Sequence, residues 1–145
     1  MMTDVFRSLG RSDALKLRSE AANLTGTEII AREVSVPPFD PKRDYTDWPA
    51  GSPVADEGQV WLLLQPHNAS HYEGRPAQLR MLWGLAHTKD PARAKAWVPS
   101  YGISGLYMLD ECYRDAAGVV WRSLRDNQDH DAAAYPQGWQ RVENV

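Results

Sequence analysis

The sequence predicts a mainly β protein, in which an N-terminal helix precedes two small tandem β modules with aromatic-rich cores. Three observations carry that expectation. A glycine opens a short apolar strand with tryptophan three residues on, in Gly58-Gln-Val-Trp61 and again in Gly118-Val-Val-Trp121, and a polar loop then leads to a closing tryptophan, Trp83 and Trp139. Upstream, residues 12 to 24 carry apolar side chains at helical spacing. Finally, 6 tryptophans and 6 tyrosines in 145 residues offer what units of about forty-five residues otherwise lack, because each buried ring removes on the order of 150–250 Å² from water.

The helix is expected to start at an N-cap, Ser12, with Asp13 favoured by the helix dipole, and to stop at Thr25-Gly26. Its apolar positions Ala14, Leu17, Ala21 and Leu24 follow 3-4-3 spacing. Such a stripe can lie on the chain's own β module, or it can tie copies of the chain into a short parallel bundle, a homotrimer. Thr27 can cap a further turn through Arg32, and Glu33 to Val36 can extend before Pro37-Pro38, which forbids helix. The expected organisation is therefore a helical oligomerisation or docking segment over 1–36, a first module over 37–88 and a second over 89–145.

In the first module, residues 39 to 48 read as turns between aromatics. Val54 and Gln59 to Leu64 read as paired strands about a turn at Asp56-Glu57-Gly58. Alternation places Val60, Leu62 and Leu64 on one face and Trp61 with Leu63 on the other, so the strand should be covered on both sides. Residues 65 to 78 form a polar loop. His67 and His71 have the spacing of a helical metal pair, but Pro66 and Pro76 argue against helix and no third ligand is near.

Residues 87 to 96 read as a linker with a turn after Pro91. In the second module, the acidic loop of Asp126, Asn127, Asp129 and Asp131 lacks the glycine and distal glutamate of an EF-hand, and Asp110, Glu111 and Asp115 lack any evident cleft across which two acids could hydrolyse a glycoside. No catalytic residue, metal or cofactor is expected. The single cysteine, Cys112, reads as a small buried apolar residue.

A net charge of −3 and a pI near 5.8 give no footprint for nucleic acid. No stretch reaches the roughly 18 apolar residues of a membrane span, and residues 1 to 10 lack the pattern of a secretion signal.

The two copies agree further. Trp48-Pro-Ala-Gly51-Ser-Pro-Val54 leads into the first strand and Tyr107-Met-Leu-Asp110-Glu-Cys-Tyr113 into the second, while Phe39-Asp-Pro41 and Trp97-Val-Pro99 stand ahead of these. The period is roughly sixty residues. This pattern resembles the small chitin- and cellulose-binding modules of carbohydrate-binding family 5/12. The variant with Trp121-Arg-Ser-Leu-Arg-Asp-Asn127 and Tyr135-Pro-Gln-Gly-Trp139 is similar to copies carried by tailed-phage and prophage structural proteins.

The resemblance implies a noncatalytic virion component of the tail, a fibre or the capsid decoration. Its modules would aid attachment to host-surface polysaccharide, with other virion proteins as partners. Trp97, Tyr135, Trp139, Trp48 and Tyr45 are the expected exposed sugar platform. Sugar-binding members of the family often carry adjacent aromatics after the strand, where this chain has Arg125 to Asp129. A second reading therefore stays open, a structural adaptor that grips virion proteins and no glycan, and a third is a targeting module separated from a hydrolase.

Overall fold

The computed structural model describes residues 2–145, with side chains from residue 11 onward. Helix α1 spans Met2–Glu20 and tightens into a 3₁₀ turn at Ala21–Asn23. Ser12 thus lies inside the helix rather than at its cap. No proline precedes it, so nothing in the earlier residues forces a break.

A second short helix, α2 (Gly26–Ala31), is capped two residues earlier than expected. The Thr25 hydroxyl accepts the Glu28 N–H at 3.1 Å, and the Glu28 carboxylate accepts the Thr25 N–H at 3.0 Å. Gly26 is no stop signal. A Cβ there would lie 2.3 Å from the His87 carbonyl oxygen, so glycine is what lets the helix start rest against that backbone. Residues 33–35 form a 3₁₀ turn, not an extended segment.

The first sheet comprises β1 (Pro53–Asp56), β2 (Gln59–Leu63) and β3 (Trp83–Leu85), all antiparallel in the order β1-β2-β3. The β1–β2 loop is Glu57 and Gly58, with φ of 52° and 77°, the left-handed pair that matches the twist of a two-residue hairpin. As the alternation predicts, β2 is covered twice. Trp61 and Leu63 enter a core with Phe39, Tyr45, Val54 and Trp83, while Val60 and Leu62 meet the helical segment. Leu64, expected on the same covered face as Val60 and Leu62, is 45% exposed beyond the strand end.

The helical stripe is used by that second face. Leu17 (0% exposed) and Ala21 (3%) are buried against Val60, Ala86, Ile29 and Ile30, with Leu24 packed beside them. The positions read as a seam between chains are thus spent on the chain's own first module. Ala14, one turn earlier, is half-buried beside Arg18, Arg43 and Trp48.

The second sheet comprises β4 (Lys95–Ala96), β5 (Cys112–Arg114), β6 (Val120–Ser123) and β7 (Trp139–Val142), in the order β4-β5-β6-β7 with β4 parallel to β5. Main-chain hydrogen bonds show the duplication residue by residue. Leu63 bonds Gly51 and Ser52 as Ser123 bonds Asp110 and Glu111, Tyr45 donates to His67 as Tyr107 does to Gln128, and Leu64 donates to Leu82 as Leu124 does to Gly138. Gly51 and Asp110 also share the left-handed conformation, with φ of 93° and 71°.

The segment expected to link the modules is not free. His87 and Thr88 are buried, Thr88 pairs with Cys112, and the Gln59 side chain donates to the Ala96 carbonyl at 2.9 Å. Glu33 and Lys95 add an ion pair. Cys112 is buried, as read from the sequence.

Two substitutions probe this packing. Leu17→Ala is expected to lower unfolding free energy by about 2–5 kcal/mol, read from urea melts; unchanged stability with altered mass in solution would instead restore the bundle. Gly26→Ala should cost about 1–3 kcal/mol through the clash with His87, and a wild-type melting curve would refute the close approach.

Candidate binding cleft

Asp115 opens the turn between β5 and β6. Its carboxylate accepts the backbone N–H groups of Ala117 and Val119 and the Trp121 indole N–H, each at 2.9 Å. These bonds, the indole first, hold its carboxyl below the usual range. They also fix the plane of Trp121. On β5, the Tyr113 hydroxyl accepts the Ala132 N–H at 2.8 Å and so draws the loop at 131–133 over the sheet. Trp97, just past β4, stacks on Tyr107 at 4.9 Å.

Between Trp97, Tyr113 and Trp121 a cleft of about 440 Å³ remains, with Asp115 and Asp131 among its lining. Arg114 also lines it, but its guanidinium donates to the Gly118 carbonyl at 3.1 Å.

The first module has the same frame, filled. Pro38 pairs with Ala55 as Ala96 pairs with Arg114, and Leu79 donates to the Arg75 carbonyl as Tyr135 donates to that of Asp131. Phe39, Val54, Asp56 and Trp61 therefore stand where the second module has Trp97, Tyr113, Asp115 and Trp121, and Arg75 stands where it has Asp131. The Arg75 guanidinium donates to both Asp56 oxygens, at 2.9 and 2.6 Å, and lies 5.8 Å from the centre of the Phe39 ring. One residue of the chain occupies the first cleft.

The expected platform is not assembled. Tyr45 (0% exposed) and Trp139 (4%) are core residues. Tyr45 meets Trp48 and Trp83 edge-on and its hydroxyl accepts the Asp40 N–H, while the Trp139 indole donates to the His130 carbonyl. Both are buried because Tyr45 packs under the closing Trp83 of the first cluster and Trp139 is itself the closing ring of the second. Trp48 is half-buried under the Arg18 guanidinium at 4.1 Å, and Tyr135 is half-buried under that of Arg125 at 4.5 Å. Only Trp97 of the five lines the open cleft.

Sequence places Tyr113 and Trp121 in strands and Asp131 in an acidic loop, and does not bring the three together. One signal existed: Arg75 and Asp131 stand the same number of residues ahead of their closing tryptophans. Of the two histidines with metal spacing, His67 is buried with Nδ1 against the Gln65 carbonyl, and His71 is exposed in a single 3₁₀ turn.

At the seam between modules, the His87 ring stacks on Tyr107 at 3.6 Å and its Nε2–H donates to the Gly105 carbonyl at 2.8 Å. Burial lowers its pKa from 6.5 to about 4, against the Gly105 bond, with Arg80 nearby adding to the fall.

The chain matches no protein-family model, and no curated protein matches it.

Because the folded state holds His87 neutral, its contribution to stability is complete above pH 6.5 and is lost as pH falls from there towards 4. The loss reaches on the order of 3 kcal/mol near pH 4. Urea midpoints between pH 7 and 4 should fall accordingly in the wild type and much less in His87→Gln; parallel profiles would show that other groups carry the acid sensitivity.

Proposed function

We propose that the chain is a noncatalytic structural protein of a tailed-phage virion, in the tail, a fibre or the capsid decoration, and that it acts as an adaptor between virion proteins. The motif resemblance and the order of helix and two modules support the virion assignment. Helix and first module form a self-filled scaffold, and the second module offers its cleft to a partner. The observation that carries this reading is the contrast between the two copies: one cleft is occupied by Arg75, the other is open.

Two of the three acids that could have posed as a hydrolytic pair are engaged within the fold. Glu111 accepts the Met108 N–H at 2.7 Å, and Asp115 braces its turn and Trp121. Partners are proteins rather than nucleic acid, given the net charge of −3. Among the described residues, no helix is long and apolar enough to cross a membrane.

A second reading, attachment to host-surface polysaccharide, is favoured by the three aromatic walls and by a volume within the range of small-ligand sites. Multiplied copies would then supply avidity. Glycan arrays and insoluble chitin separate the two. The adaptor reading expects no retention of the wild type, whereas retention that Trp97→Ala abolishes with its circular dichroism unchanged would replace adaptor by attachment.

A further inference from the structure

We propose that the open cleft of the second module is an arginine-recognition site, which receives the guanidinium of an arginine side chain from a partner protein in the place Arg75 takes in the first module. The inference deepens the adaptor reading and rests on it.

The first module displays the bound state. There, a planar guanidinium sits over an aromatic ring and makes a two-pronged bond to a carboxylate whose side chain is 6% exposed. Such forked pairing suits arginine and not lysine, whose ammonium is a point charge.

The second module keeps the ring and the carboxylate, as Trp97 and Asp115, and enlarges the aromatic surface by setting Trp97 where the first has Phe39 and Tyr113 where it has Val54. What changes is the occupant. Asp131 replaces the arginine, so the cleft gains volume and a second negative charge where its counterpart has a cation. Neither nearby cation fills the gap. Arg114 is turned onto Gly118. Arg141, close enough to Asp115 to help lower its pKa, lies outside the cleft lining and within 3.3 Å of Glu143. Two carboxylates in a cleft walled by the Trp97 and Trp121 indoles are therefore complementary to a cation that the module does not supply, and aromatic faces add to its attraction.

The test uses the full chain and the indole N–H resonances of Trp97 and Trp121. N-acetylarginine amide is expected to shift both, and N-acetylcitrulline amide, its neutral isostere, to bind roughly tenfold more weakly or less. Asp131→Arg should fold, melt at or above the wild-type temperature by pairing with Asp115, and lose the response. Should that variant not fold, Asp131→Asn reads the same charge and should weaken the arginine probe by roughly tenfold.

Silent indoles, equal binding of the citrulline probe, or an undiminished response in the Asp131 variants would overturn the assignment. A response to N-acetylglucosamine or its chitin oligomers in place of arginine would make the cleft a saccharide site. Silent indoles together with no glycan retention remove the arginine assignment alone, whereas glycan retention by the wild type removes the adaptor reading as well.

Discussion

Each module depends on one contact, the edge-on seat of its closing tryptophan against a tyrosine that precedes its first hairpin. Trp83 meets Tyr45 at 5.2 Å and 89°, and Trp139 meets Tyr107 at 5.5 Å and 73°. Units this small bury too little aliphatic surface to be stable on it alone. A perpendicular ring pair supplies both area and a preferred geometry, because the positive edge of one ring faces the negative face of the other. It also joins the last strand to the segment that opens the module, so the chain is closed on itself without a disulfide.

That closure accounts for how far the copies have diverged. The main-chain bonds and the ring pair define the frame, and neither needs a particular residue at position 75 or 131. Arginine at the first satisfies a buried carboxylate and fills space; aspartate at the second does neither. The first choice adds packing. The second leaves an accessible cavity flanked by charge, which costs the fold little because Asp115 is held by three N–H groups, two of its own turn and one of the Trp121 indole.

The strands, the Glu57-Gly58 hairpin and the two-sided cover of β2 were legible because each is local: a glycine with left-handed backbone or a period-two alternation announces it. The apolar stripe of α1 was legible as a stripe, but its destination was not, since spacing states that Leu17 and Ala21 are buried and never against what. The aromatic platform failed for the same reason. Whether a ring is exposed depends on what folds over it, and Arg18 over Trp48 or the burial of Tyr45 against Trp83 joins residues far apart in sequence. The cleft required one step more, the alignment of two loops of unequal length from their closing tryptophans backwards.

The seam between the modules gives this divergence a direction. Arg80 reaches from the first module over the Trp61 ring at 5.3 Å and donates to the Pro99 carbonyl at 2.8 Å, Val98 packs against the first core, and His87 from the first copy stacks on Tyr107 of the second. The backbone that follows Trp97 is thereby laid on the first module, and Trp97 is one wall of the cleft. The first copy thus fills its own cavity and, through Val98 and Pro99, also holds the wall of its neighbour's. A duplicated unit that spends one site on stability can in this way keep the other rigid and open, so that a ligand entering between Trp97 and Trp121 would meet rings already in place and lose little to ordering them.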